Sequence, residues 1–487
     1  MSSKSALSDS LKTLGLSALG TAALVGAHHL GRKQYDANAQ LSDYGHGFTQ
    51  ALACVISRAR FITKARVITR LNPKDTTIAD GHKSVKNHIS ANRHITAESD
   101  ITTDSHKINS ELSEISWVSG AADLNSNEFA VVGIDAKREI QWQTPLPERV
   151  HDILIQPKCI THGKDKIHNA NIHVAVMGRR PSEWFWVLEA HSGKLLYSVK
   201  SEPNRHFYGH ACYSLQGDLL YVTENNTSDL SGIIGIYEVV SGYKKIGEFA
   251  TQGIGPHEIV MHPDGETLIV ANGGIKTERA SREELNIESM QPSLVYLNCQ
   301  DGSVIQQVYP EHNQMSVRHL AIHKDGTVII GIQFQGERHL SVPMVLIHRL
   351  GDTDFTPLTM TNSNGHNWLR FHHYIASVSV NSDHSLVCAT SPIGGCTAVF
   401  DLKTGKLIDI VEISDCAGVA AYPNSMSKPD LGLGDCTVES ASFLVSDGQG
   451  ALTQITLNSF ENVISVKVDK VQLPYAFDNH LNLIEAS

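Results

Sequence analysis

The stretch from Arg205 to Gly274 carries the same strand pattern twice, and this repeat constrains the fold more than any other feature. Each copy opens near a Gly-His or Pro-His pair, passes through an alternating strand and a turn, and enters a very apolar second strand. Two further strands follow, joined by a Ser-Gly turn at Ser241. Period-2 alternation punctuated by turn residues is typical of antiparallel β-strands. Four short strands repeated at intervals of roughly 40 to 60 residues predict the blades of a β-propeller.

The strand rhythm begins at Ile115 and continues to the end of the chain. Further repeat units begin at His151, His210, His257, His319, about Ala376 and about Cys416. With the segment before His151 this makes seven units, and the first is one strand short. The last strand of the chain can complete it, which would close the ring without an exposed edge. We therefore predict an all-β fold over residues 113–487: one seven-bladed β-propeller with a C-terminal strand closing the first blade.

The residues before the propeller have a different composition. Within residues 1–30, the apolar run from Leu14 to Ala27 is shorter than the about 20 residues that a membrane-spanning helix needs. It fits the central region of a signal peptide, with an uncleaved membrane anchor or a buried amphipathic helix as alternatives. Residues 31–112 are polar and cannot bury much apolar surface, so they predict a mostly disordered linker. We expect no integral membrane domain apart from the possible N-terminal anchor.

Composition and missing motifs exclude several function classes. The net charge of -11 argues against nucleic acid and anionic membranes as main partners. None of the eight cysteines forms a CxxC pair, which disfavours a zinc ribbon. Cys388 and Cys396 flank a Gly-rich bend and could pair across it, although buried free thiols are the favoured interpretation. The chain has no GxSxG, HExxH or phosphate-loop motif, so no catalytic residue can be named.

Histidines recur where the predicted inner strands begin. In a propeller the innermost strand of each blade starts at one face, so His151, His210, His257 and His319 should meet at one rim of the central channel. His480 joins them if the last strand closes the first blade. Imidazoles with carboxylates nearby favour a first-row transition metal, and Cu, Fe, Ni and Zn all suit such ligands. Histidines that only bond to backbone or to a neighbouring Asp are the alternative.

Other polar side chains are predicted at the same rim and could bind a small ligand or an anion. Three of them end second strands and three lie at or before the start of inner strands: Glu224, Asn225 and Asn272, and Arg205, His206 and Arg318.

Several longer motifs carry information about a family. They are RHFYGH, TENN, GIGPHE, HPDG, ANGGI, REELNIESMQPSL, VRHLAIHKDGTV, TSPIGG and FDNHL. From Trp117 to Ile484 the chain resembles the bacterial exported β-propeller family catalogued as a domain of unknown function (DUF1513). The resemblance implies export to the periplasm and a context of envelope iron handling, without defining a biochemical activity. Together with the histidines, it makes iron or copper the transition metal that we expect. Families of this kind often use a twin-arginine signal, but here no Arg-Arg pair precedes the apolar run.

These observations lead to one expected function and two alternatives. We expect an exported periplasmic propeller that binds a metal ion or small ligand at the channel mouth, with an envelope protein as a possible partner. The first alternative is a metal-dependent enzyme, lactonase-like or an oxidoreductase, acting on a small molecule there. The second is a protein-interaction scaffold with an inert channel.

Overall fold

The computed structural model describes residues 115–158, 172–180, 182–277, 284–360, 367–422, 439–460 and 463–484. Its strands form seven four-stranded antiparallel sheets, each a blade of a propeller. The predicted fold is therefore confirmed. The predicted signal peptide or anchor at 1–30 and the linker at 31–112 lie outside the described residues and stay predictions. Among the described residues, no helix is long and apolar enough to cross a membrane.

Blades are numbered here by their order along the chain. Blade 1 contains β1 (Ile115–Asp123), β2 (Phe129–Asp135), β3 (Ile140–Leu146) and the last strand, β28 (Tyr475–Leu483). Blade 2 contains β4 (Val150–Ile155), β5 (His173–Gly178), β6 (Trp184–Glu189) and β7 (Leu195–Lys200). Blade 3 contains β8 (Arg205–Tyr213), β9 (Leu219–Asn226), β10 (Ser231–Glu238) and β11 (Lys244–Ile254).

Blade 4 contains β12 (Pro256–Met261), β13 (Thr267–Asn272), β14 (Ser293–Asn298) and β15 (Val304–Val308). Blade 5 contains β16 (Met315–Ile322), β17 (Val328–Phe334), β18 (Val345–His348) and β19 (Thr356–Pro357). Blade 6 contains β20 (Ser377–Asn381), β21 (Leu386–Ser391), β22 (Cys396–Asp401) and β23 (Lys406–Glu412). Blade 7 contains β24 (Cys416–Ala421), β25 (Glu439–Asp447), β26 (Ala451–Phe460) and β27 (Val463–Gln472). Short 3-10 turns lie at Ile287–Ser289 and Trp368–Phe371.

The C-terminal strand closes the ring. β28 pairs antiparallel with β1, with Trp117 opposite Leu483 and Ala122 opposite Ala476. It is the innermost strand of blade 1, because it packs against β4 and β24, the innermost strands of both neighbouring blades. The inner edge of β1 is thus paired, all seven blades have four strands, and the predicted closure is confirmed.

The hydrophobic cores lie between adjacent blades. All of β13, whose sequence is TLIVAN, is buried because neighbouring blades cover both of its faces. The outermost strand β11 instead alternates between exposed and partly buried positions, as a strand with one solvated face should. Between blades 2 and 3, the rings of Phe185 and Phe207 lie 5.2 Å apart edge to face. Close packing of this kind fixes the blade positions, and with them the inner strands.

The described cysteines are all free thiols. In the ladder of blade 6, Cys388 lies opposite Val399 while Cys396 lies opposite Ser391. This register separates the two sulfurs, so the suggested Cys388–Cys396 disulfide does not form. The sulfur of Cys416 instead donates to the backbone carbonyl of Cys396 at 3.1 Å.

Candidate metal centre

The inner strands are irregular where their histidines lie. The pairing register shifts between Val150 and Asp152 in blade 2 and between Pro256 and Glu258 in blade 4. Such β-bulges break the strict alternation of a strand and re-aim its side chains. Here they let neighbours in sequence, His257 and Glu258 for example, face the same cluster.

Blade 3 has the longest irregularity, between Phe207 and Ala211. It contains Gly209, whose φ of +108° disfavours residues with a side chain. A Cβ atom at this position would lie 2.4 Å from Cδ2 of His151. Glycine is therefore required, because the His151 ring packs directly on the backbone that presents His210.

Five histidine rings meet at the axis of the propeller. His210 is central, with its ring centroid 4.6 Å from that of His151, 4.7 Å from His257 and 4.9 Å from His480. His319 lies 4.8 Å from His257 and 5.5 Å from His480. All five predicted metal-ligand histidines are thus brought together, from blades 1 to 5.

Two carboxylates orient these rings. Nδ1 of His210 lies 3.1 Å from Asp152, and Nδ1 of His480 lies 3.4 Å from the same carboxylate. Nδ1 of His319 lies 3.0 Å from Glu258. Carboxylates that hold one ring nitrogen fix the orientation of the ring and increase the donor strength of the other nitrogen.

Burial and mutual charge determine the protonation of the cluster. Burial, followed by the neighbouring His210, holds the pKa of His257 well below its usual range. Burial likewise lowers the pKa of His480 to about 4. Burial would also lower the pKa of His210, but the hydrogen bond and charge of Asp152 outweigh it and raise that pKa. Burial raises the pKa of Glu258 to about 7, against the pull of His210 and His480. Most of the imidazoles are therefore neutral at physiological pH, the form that binds metals.

Several buried imidazole nitrogens have no hydrogen-bond partner. In the cluster they are Nε2 of His210, Nδ1 of His257 and Nε2 of His480, and outside it Nδ1 of His206. Leaving one buried polar atom unsatisfied costs about 1–3 kcal/mol, and native structures avoid it. Donor atoms of His210, His257, Glu258 and His319 lie within 4.8 Å of one another, as do those of His151, His210 and His480. Nitrogen donors with carboxylate oxygens fit a first-row transition metal.

A cavity of about 450 Å³ follows the channel on one side of the cluster. Its end is formed by Asp152, Glu258, His319 and His480, and the remaining inner strands form its wall. A small molecule in this cavity could therefore reach the carboxylates.

A polar layer covers the other side of the cluster. The side chain of Arg180 reaches over the ring of Tyr208 at 4.6 Å and donates to the hydroxyl of Thr277 at 2.9 Å. With Arg318 and His257, these residues line a second cavity of about 20 Å³. The sequence predicted these histidines on the rim of the channel. His210 and His319 are only 0% and 2% exposed, so they lie beneath the rim. The bulges, and the layer formed by Arg180, Tyr208, Thr277 and Arg318, account for the difference.

The other residues predicted at the rim have separate surroundings. Glu224 accepts hydrogen bonds from Tyr237 at 2.7 Å and Lys245 at 2.9 Å. Arg205 forms an ion pair with Glu248 at 2.8 Å. Among the predicted ligand-binding residues, only Arg318 lines either of the two cavities described here.

The three other predicted ligand-binding residues, Asn225, Asn272 and His206, also contact neighbouring residues outside the cluster. Asn272 donates to the carbonyl of Thr251 at 2.9 Å. Asn225 holds the turn after β9 through the carbonyls of Leu230 and Ser231. The ring of His206 stacks 6.0 Å from that of Tyr208, and burial with the nearby Arg180 lowers its pKa to about 4.

Sequence reasoning missed Glu258 as a site residue. The signal was its place directly after His257 in the motif GIGPHE. Alternation predicts that neighbours point to opposite faces, and only the bulge reverses that expectation.

Comparison with known proteins gives a family. Residues 144–484 match the family described as "Protein of unknown function (DUF1513)". The chain belongs to this family. No curated protein matches the sequence.

Several solved structures resemble the chain at low sequence identity. Hydrazine synthase of Kuenenia stuttgartiensis matches with 12% identity and a TM-score of 0.47, covering 76% of this chain and 99% of its own. BamB from Moraxella catarrhalis matches with 13% identity and a TM-score of 0.41, covering 75% of this chain and 87% of its own. Hsv2 of Kluyveromyces lactis matches with 12% identity and a TM-score of 0.42, covering 71% of this chain and 92% of its own.

Proposed function

We propose that this propeller binds one first-row transition metal ion, iron or copper, in the histidine cluster at its axis. The observation that carries the proposal is the convergence of five imidazoles and two carboxylates with three buried ring nitrogens left without partners. A metal ion held by His210 and His257 would satisfy two of these nitrogens, and His480 belongs to a second donor group that shares His210. Most buried polar atoms in native proteins are paired, so three unpaired nitrogens in one cluster favour a bound ligand.

The fold itself does not require histidine at these positions. Ser377 and Gly418 lie near the corresponding ends of the inner strands in blades 6 and 7. Both blades keep four strands and a buried inner strand. The histidines of blades 1 to 5 are therefore explained better by a shared ligand than by blade architecture.

Charge supports a single ion. One divalent ion would balance Asp152 and Glu258, whereas a second would leave two uncompensated positive charges close to Arg318. Uncompensated charge in a buried site is strongly unfavourable. We infer a stoichiometry of one divalent ion per chain.

The proposal includes a location and a biological role. We propose a periplasmic protein that takes part in envelope iron handling, with another envelope protein exchanging metal with it. The apolar stretch from Leu14 to Ala27 and the family membership support this part of the proposal.

Metal binding can be tested directly on the full chain. Protein stripped with a chelator is titrated with Fe(II), Cu(II) and Zn(II), and bound metal is measured after gel filtration by elemental analysis. We expect one tightly held ion per chain in the parent and loss of that ion in His257→Ala. The control is His262→Ala, because His262 pairs with Asp264 at 2.9 Å in a turn away from the cluster. A parent protein that retains no metal would overturn the proposal and favour the scaffold alternative.

The cavity of about 450 Å³ supports a second candidate, a metal-dependent enzyme. It gives a small molecule access to the side of the cluster where Asp152 and Glu258 lie. Turnover of lactones or of redox dyes by the metal-loaded protein, and none after Glu258→Gln, would favour this function over storage or transfer of the metal.

A further inference from the structure

The two sides of the histidine cluster differ in how much space they leave. On the covered side, the layer that includes Tyr208 and Arg318 leaves a cavity of about 20 Å³, room for about one water molecule. On the other side, the cavity of about 450 Å³ begins at Asp152 and Glu258. Among the described residues, this larger cavity is therefore the wider approach to the cluster.

The larger cavity follows the propeller axis away from the cluster. All seven innermost strands contribute to its wall, for example from Glu258 to Met261 in blade 4 and from His319 to Ile322 in blade 5. Met261 and Ile322 are the last residues of β12 and β16. The cavity thus extends from the cluster to the face of the propeller where the inner strands end. We call this cavity the channel.

The wall of the channel is polar through its backbone. Each innermost strand lies at the end of its four-stranded sheet, so one of its edges pairs with no other strand of that sheet. Backbone N–H and C=O groups on such an edge need another partner, and water in the channel can supply it. The small side chains of Ala321 and Ser379 lie along this wall and leave room for water. A wall of this kind can accommodate an ion that keeps its water shell.

The charged groups of the channel are acidic. The carboxylates of Asp152 and Glu258 lie at its inner end, and no lysine or arginine is among the described residues that line it. The whole chain also has a net charge of -11. A cleft lined by one sign of charge concentrates ions of the opposite sign and repels ions of the same sign. The channel therefore favours cations over anions.

The size of the channel suits a hydrated ion. Six waters at about 30 Å³ each fill roughly 180 Å³. This is well within the cavity of about 450 Å³.

We propose that the metal reaches the cluster through the channel as a hydrated divalent cation, and that anionic metal chelates are excluded. This proposal rests on the metal function proposed above and names the form of the metal that the site accepts. Asp152 and Glu258 are the first side-chain ligands that an entering ion meets. The histidines then replace further waters of the ion, and these waters leave through the channel.

The first experiment narrows the channel. The full chain is stripped with a chelator and mixed with Co(II) in a stopped-flow instrument, because the visible absorption of Co(II) changes when imidazole replaces water. Ser379→Phe should lower both the association and the dissociation rate constants by about tenfold. The dissociation constant should stay the same, since an obstacle on the route raises the barrier and leaves the free and bound states unchanged. The control is Ile393→Phe, because Ile393 is 61% exposed and lines neither cavity.

The second experiment tests the form of the metal on the parent protein. Co(II) is buffered with citrate so that the free Co(II) concentration stays constant while the concentration of the anionic chelate rises. We expect the rate of Co(II) uptake to follow free Co(II) alone. Higher ionic strength should also slow the association, because salt screens the attraction between the ion and the carboxylates.

The outcomes separate this proposal from the metal function on which it rests. A parent that binds no Co(II) at equilibrium would overturn both. Normal Co(II) binding with parent-like rates in Ser379→Phe would refute the route alone. Uptake that accelerates with citrate chelate at constant free Co(II) would refute the exclusion of anionic chelates. If Ser379→Phe does not fold, the more flexible side chain of Ser379→Met should give a smaller decrease of both rate constants, and unchanged rates would count against the route.

Discussion

Nδ1 of His480 lies 3.4 Å from the carboxylate of Asp152, which joins the last strand of the chain to the first strand of blade 2. The strand that closes the ring thus also supplies a histidine to the proposed metal site. Closure and site formation depend on the same segment, so a chain that fails to close cannot form the complete cluster.

Removing the closing strand should unfold the propeller. Deletion of residues 475–487 exposes the inner edge of β1 and removes the buried side chains of Phe477 and Leu481. We expect loss of the cooperative thermal transition, measured by circular dichroism. His480→Ala is the matched control, since it should lose metal affinity while keeping that transition. A deletion variant that melts like the parent would show that β28 is not needed for closure.

Much of this architecture could be predicted from the sequence. Strand alternation and recurring turns predicted the blades. The first repeat unit is one strand short, which indicated that the last strand of the chain completes the first blade. The recurring histidines could be placed near one face because inner strands begin there. These features depend on local patterns that each repeat carries by itself.

The composition of the site could be predicted only in part. Glu258 reaches the cluster through a bulge that no residue pattern in β12 predicts. Glu224 ends a second strand as expected, but its side chain bonds to Lys245 and Tyr237. Whether such a side chain faces the channel or the neighbouring strands depends on register and packing between distant segments. Arg318 and Arg180 likewise line one cavity because segments distant in the sequence pack together.

Two histidines of the cluster should respond differently to substitution. Nδ1 of His257 has no partner, so His257→Ala should abolish metal binding with little loss of stability of the metal-free protein. His210 bonds to Asp152 at 3.1 Å, and His210→Ala would leave that buried carboxylate with fewer partners. We expect His210→Ala to lower the unfolding free energy by about 1–3 kcal/mol in addition. Urea unfolding of both metal-free variants measures the difference, and equal stabilities would contradict the prediction.

Glu224 should stabilise the fold and not the metal site. Burial raises its pKa, against the attraction of Lys245, and the carboxylate is 0% exposed. Glu224→Ala leaves the buried Tyr237 hydroxyl without its acceptor, while Lys245 keeps Glu248 at 2.9 Å, so the cost should be about 1–3 kcal/mol. Metal affinity in the folded variant should equal that of the parent. Glu224→Gln keeps the shape and should be milder. A loss of metal affinity larger than the loss of stability would place Glu224 in the site after all.

Two buried thiols of blades 6 and 7 should be unreactive in the native state. Burial raises the pKa of Cys416 to about 11, and burial holds that of Cys388 well above its usual range. At pH 8 a thiol with such a pKa is roughly one-thousandth thiolate, the reactive form, compared with about a quarter for a free cysteine.

Iodoacetamide at pH 8 should therefore modify Cys388 and Cys416 only when the protein unfolds, with Cys299, which is partly exposed, as the internal comparison. Peptide mass mapping with and without urea measures each site.

The raised pKa of these thiols also gives the sign of the pH dependence of the free energy of unfolding. The folded state binds the thiol proton more tightly than the unfolded state, so this contribution is fully present below about pH 8.5, the unfolded pKa. It is lost as the pH rises toward 11. Native labelling of Cys388 as fast as that of Cys299 would mean that blade 6 opens readily or that the thiol is not buried.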